Sequence, residues 1–157
     1  GLNWTVTNNR TTSRILMHPS NSNILLAATS NGIYKTTDAG VSWTLVQSGS
    51  FKDLEFKPSD PTVVYASGGT FMKSTNTGTS FTTIASGLPT TNVNRISIAV
   101  SAANSAIVYL RFKQYRLWSS WGLQINRQWY EFHYRCHHTQ FIGMELQRRR
   151  CGRTRLV

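Results

Sequence analysis

Carboxylates are the side chains of this sequence best suited to acid–base chemistry, and they are few. Residues 1–110 hold four: Asp38, Asp53, Glu55 and Asp60. Cleaving an acetal bond between sugars ordinarily takes two carboxyl groups, one on each side of the bond. Asp38 stands in a turn-forming stretch whose backbone N–H groups it can accept from. Asp60 lies in Ser59-Asp60-Pro61, another turn. Glu55 sits between Leu54 and Phe56, which turns it to the other side of its strand or to solvent. Asp53 opens that strand and is the candidate catalytic residue, set against the plainer reading of a solvated turn carboxylate.

Two further groupings lie near the C-terminus. Arg148-Arg149-Arg150 with Arg153 and Arg155, close to Trp129, Tyr130 and Phe132, has the composition of a nucleic-acid patch. The formal net charge of +11 points the same way. Cys136-His137-His138 with Cys151 is half of a metal site, but a structural zinc site takes paired short spacings and the gap from Cys136 to Cys151 supplies none. No metal and no cofactor is expected. Charge alone brings nonspecific attraction to polyanions; no specific nucleic acid is expected as a partner.

The elements that must position the carboxylates come from an internal repeat. Thr36-Thr37-Asp38-Ala39-Gly40-Val41-Ser42-Trp43 returns 38 residues later as Ser74-Thr75-Asn76-Thr77-Gly78-Thr79-Ser80-Phe81. Ile15–Ser20 returns as Leu54–Ser59, each followed by an apolar run, Ile24–Ala27 and Val63–Ala66. A third copy runs from Ile96–Val100 to Ala106–Leu110, and Gly1-Leu2-Asn3-Trp4 matches the end of the repeated turn. A period of roughly 40 residues with several short strands per unit describes propeller blades. The first unit reads as strands Arg14–His18, Ile24–Thr29, Gly32–Thr36 and Ser42–Gln47. The second reads as Leu54–Lys57, Thr62–Ser67, Thr70–Ser74 and Ser80–Ala85. Asn31-Gly32 is a tight-turn signal that tolerates positive φ, and proline falls only between strands or just before them.

The pattern [ST]-x-[DN]-x-G-x-S-[WF] resembles the Asp-box of xyloglucanase-, sialidase- and sortilin-like β-propellers. The fold expected is therefore all-β: a partial propeller of two complete four-stranded antiparallel blades with parts of two others, then an irregular tail. The resemblance makes Thr36, Asp38, Gly40, Trp43, Ser74, Asn76, Gly78 and Phe81 scaffold, away from the ligand face. Gly40 relieves a backbone conformation that a Cβ would oppose, and Trp43 starts the outer strand and packs between sheets. Asp53 then lies near where propeller clefts form. Xyloglucanase-type blades carry a catalytic Asp in a T-D-x-G-G-like turn, and Thr29-Ser30-Asn31-Gly32 and Ser67-Gly68-Gly69-Thr70 have none. Arg10, Arg14 and Arg95 are too scattered for a sialidase-type arginine cluster. His18 reads as a strand-end surface residue.

Composition changes after Leu110. Residues 1–110 carry seven Lys+Arg and four Asp+Glu; residues 111–157 carry ten and two. Back-translating Phe112–Leu156 and reading one base later yields a text containing VYKSTDSGMNF, a further copy of the repeated turn preceded by a strand like Gly32–Lys35. Residues 111–157 are accordingly expected to be an out-of-frame, poorly ordered basic tail, and 1–110 a fragment of a propeller. No apolar run is long enough to span a membrane. The resemblance implies a secreted protein that acts on or binds polysaccharide, this chain itself being inactive. The alternatives are a sortilin-like module for peptide or protein partners, and a nucleic-acid binder working through the tail.

Overall fold

The computed structural model describes residues 11–89, 91 and 93–114. Every regular element among them is a strand. β1 (Thr12–His18), β2 (Asn21–Thr29), β3 (Gly32–Thr36) and β4 (Thr44–Ser48) form one antiparallel sheet in sequence order. β5 (Phe51–Lys57), β6 (Asp60–Gly68), β7 (Phe71–Ser74) and β8 (Thr82–Thr83) form a second of the same order. β9 (Val93–Val100) and β10 (Val108–Gln114) pair as a third sheet. The architecture is all-β and blade-like. Gly1–Trp4, Arg10 and residues 115–157, with the arginine and Cys/His groupings, lie outside the described residues.

Alternation along each strand sorts side chains onto two faces. Leu26, Ala28 and Ile33 of the first sheet pack against Leu54, Val64, Ala66 and Met72 of the second. Val63, Tyr65 and Phe71 leave the other face of the second sheet to meet Ile96, Ile98, Val108, Leu110 and Phe112. The second sheet is thus covered on both sides, which is why Val63–Ala66 reads as an unbroken apolar run. Burial of Phe112 against the second sheet carries β10 beyond the change in composition at Leu110.

Three local expectations are corrected. Neither Asn31 nor Gly32 has a positive φ. Thr29 organises that turn: its buried Oγ1 accepts from the Asn31 and Gly32 amides at 3.3 and 3.1 Å. Gly32 is required for space, since a Cβ there would lie 2.3 Å from Leu45 Cδ1 and 2.7 Å from the Gln47 carbonyl oxygen. Pro61 falls inside β6, where the register shifts between Lys57↔Asp60 and Phe56↔Val64, so the ladder loses no donor by it. β8 is only Thr82–Thr83; the Ile84 amide still donates to the Phe71 carbonyl (2.9 Å) before the chain turns at Ala85–Leu88.

Candidate functional site

The strand register places the repeated turns at one end of the sheets and the β2–β3 and β6–β7 connections at the other. At the first end, Thr36 Oγ1 donates to Asp38 Oδ1 (2.6 Å) and accepts from the Gly40 amide (3.0 Å). Asp38 accepts from both the amide and the hydroxyl of Ser42. These bonds, the Ser42 hydroxyl first among them, pull the Asp38 carboxyl down to about 2. Its capacity is absorbed by its own turn. Ser74, Asn76, Gly78 and Ser80 repeat the arrangement, with Asn76 Nδ2 donating to Ser80 Oγ (2.8 Å). Ala39 and Gly40, like Thr77 and Gly78, are consecutive residues at positive φ.

The two turns differ in what they touch. Gly78 rests on Leu26 of the first sheet, and Phe81 packs on the core between the first two sheets. Lys35 reaches across to Thr79 Oγ1 at 2.9 Å. Trp43 lies one residue before β4, and its half-buried indole donates from Nε1 to the Gly40 carbonyl (3.1 Å). His18, expected at the surface, is half-buried with its ring edge-on to Phe56, centroids 5.4 Å apart. Asp60 accepts from the Thr62 amide and hydroxyl, as a turn carboxylate does.

The opposite end gathers the charges suited to a ligand. Arg14 on β1 extends over β5 to an ion pair with Glu55 and stands 3.9 Å from Asp53 Oδ1. The three side chains are 45%, 28% and 14% exposed for Arg14, Glu55 and Asp53. Partial burial raises the proton affinity of Glu55; Arg14 lowers it and Asp53 raises it further. Asp53 Oδ2 accepts from the Ile98 amide of β9 (3.0 Å), and Oδ1 accepts from the Leu54 amide (3.1 Å). Beside them, Ser67 donates to the Ile96 carbonyl at 2.7 Å.

Asp53 is the third residue of β5 and stands in company that the sequence reading missed. Spacing in the sequence scatters Arg14 from the other arginines, and alternation along β5 gives Glu55 no named partner; the fold pairs the two. The signal was present in the repeat. Laying His18-Pro19-Ser20 over Lys57-Pro58-Ser59 sets Arg14 at the position of Asp53, on a neighbouring first strand. Chemically, the cluster can exchange hydrogen bonds with hydroxyl groups through Arg14 and Glu55. No tryptophan, tyrosine or phenylalanine is exposed among the described residues, so this end presents no aromatic platform there. Among the described residues no grouping of His, Cys, Asp and Glu could hold a metal ion, and no helix is long and apolar enough to cross a membrane.

No protein-family model and no curated protein matches the chain. Solved structures do. An ancestral GH74 enzyme superposes with a TM-score of 0.60 at 22% identity over 68% of this chain. The GH74 enzyme of Niastella koreensis superposes with a TM-score of 0.51 at 25% identity over 63% of it. This chain spans 17% of each of those proteins. In fold, the described sheets are similar to a short run of blades from these GH74 β-propellers.

Proposed function

We propose that these sheets are part of an Asp-box β-propeller of the glycoside-hydrolase-like group, secreted, and that the whole propeller binds or hydrolyses polysaccharide at the Arg14–Asp53–Glu55 end. The observation that carries this reading is the separation of the two ends: turn-bound Asp38 and Asn76 on one, the charged cluster on the other. The likeness of fold to two GH74 enzymes supports it. Both oxygens of Asp53 already accept backbone amides, and Glu55 alone does not make the carboxyl pair that glycoside hydrolysis requires. The chain by itself is accordingly inactive, with its catalytic carboxylates supplied by other blades. Ligand contact by the described blades is polar rather than aromatic.

The frame change, which falls within β10, belongs to the same reading. Arg95 lies directly across from Lys113, and like charges in that position oppose pairing. The shifted text replaces Lys113 with asparagine and goes on to a third strand and a third turn. Resequencing the gene from the codon of Tyr109 through the tail tests this: an inserted or missing base is expected, and an intact frame would refute it. Reducing-sugar release from neutral plant polysaccharides tests the rest, with none expected from this chain and release expected from the restored, longer product. Binding of a peptide in place of polysaccharide by that product would favour the sortilin-like alternative.

A further inference from the structure

We infer that Asp53 and Ser67 form a two-point clasp on the open edge of β9, which makes Asp53 a positioning residue and not the acid or base of the cleft end. A strand edge presents backbone donors and acceptors that need partners. Among the described residues β9 has a strand neighbour on one side only, β10. Toward the second sheet, its Ile98 amide donates to Asp53 Oδ2 and its Ile96 carbonyl accepts from Ser67 Oγ. One donor and one acceptor, two residues apart, are met by two side chains that are themselves cross-strand partners on β5 and β6. Ser67 is fully buried and the Asp53 side chain is 14% exposed, so water does not readily replace either bond.

The clasp does the work of a backbone ladder between sheets that share none. Amide-to-carboxylate bonds are charge-assisted, which suits them to fixing a strand in place. The remaining Asp53 oxygen, held by the Leu54 amide, faces Arg14, and Arg14 continues to Glu55. The first strands of the three sheets, β1, β5 and β9, are thereby joined in series by side chains at the cleft end. Their spacing there is set by Asp53, whatever ligand the end receives.

Amide hydrogen exchange on the full chain tests this, comparing wild type with Asp53→Ala, Asp53→Asn and Ser67→Ala. Loss of the bond is expected to speed exchange of the Ile98 amide roughly tenfold in Asp53→Ala. The amides of Leu26 and Ala28, in the core between the first two sheets, should keep their protection. Asp53→Asn retains a carbonyl acceptor and should recover part of the protection. Ser67→Ala, a milder change, should also speed Ile98 exchange and carries the test if Asp53→Ala does not fold. Unchanged exchange at Ile98, equal exchange in the Asn and Ala variants, or an equal loss at Leu26 and Ala28 would each overturn the clasp.

Discussion

Adding one methyl group at each of the two repeated turns separates local backbone cost from contact between sheets. Gly40 and Gly78 occupy the same place in the turn, with φ of 94° and 72°. An alanine at either position carries the left-handed penalty of about 1–2 kcal/mol. Gly40 lies farther from the left-handed minimum, so its penalty is at least as large. The surroundings differ. At Gly40 the new Cβ would meet only the Trp43 ring, at 3.8 Å, an ordinary contact. At Gly78 it would lie 2.8 Å from both Cδ atoms of Leu26, which is fully buried and has little room to retreat. Overpacking of that kind costs about 1–3 kcal/mol. Gly78→Ala should therefore destabilise the chain more than Gly40→Ala, by up to about 1–3 kcal/mol. Urea titration with a constant slope measures the difference directly. Leu26→Val in the Gly78→Ala background should recover part of it, since the shorter side chain gives way. Equal losses at the two glycines would refute the placement of the second turn on Leu26.

Other expectations follow from charge and space. Asp38 has its carboxyl depressed to about 2; its hydrogen bonds therefore stabilise the folded chain above the unfolded value of 3.8, and that contribution is lost as pH falls toward 2. The Trp43 indole resonance should move over that interval in wild type and not in Asp38→Asn, whereas the second turn, built on neutral Asn76, should show no such step. Glu55 has its carboxyl raised, chiefly by burial. Its contribution is present below the unfolded value of 4.5 and is lost as pH rises through the raised folded value. Arg14→Ala should move that titration higher still, seen by carboxyl NMR, while costing about 0–1 kcal/mol for a half-exposed pair. Gly32→Ala meets the Gln47 carbonyl oxygen at 2.7 Å, with no positive φ involved, and should cost about 1–3 kcal/mol by crowding alone.

Legibility from sequence varied with the range of the forces involved. The repeated turns were readable because each is closed by bonds within eight residues: Thr36, Asp38, Gly40 and Ser42 make theirs to one another. Val63–Ala66 was readable as an apolar strand from its composition, and its burial on both faces came from the sheets on either side. The Arg14–Glu55 pair was not readable. It joins positions 41 residues apart, and alternation along β5 says which face Glu55 takes without saying what stands opposite. Phe81 packs on the core between the first two sheets, a contact that the motif alone does not assign to a particular neighbour.

The sequence by itself determined the period, the strand count per unit and the chemistry of the turns, because local hydrogen bonding and side-chain alternation are properties of adjacent residues. Only the tertiary structure decided that Asp53 is bound by a backbone amide of β9 and flanked by Arg14. The angle and distance at which one sheet settles on the next depend on how Leu26, Leu54, Val64 and Ile96 fill the space between them. That packing is a property of all the sheets together, and it sets which charges meet at the end opposite the repeated turns.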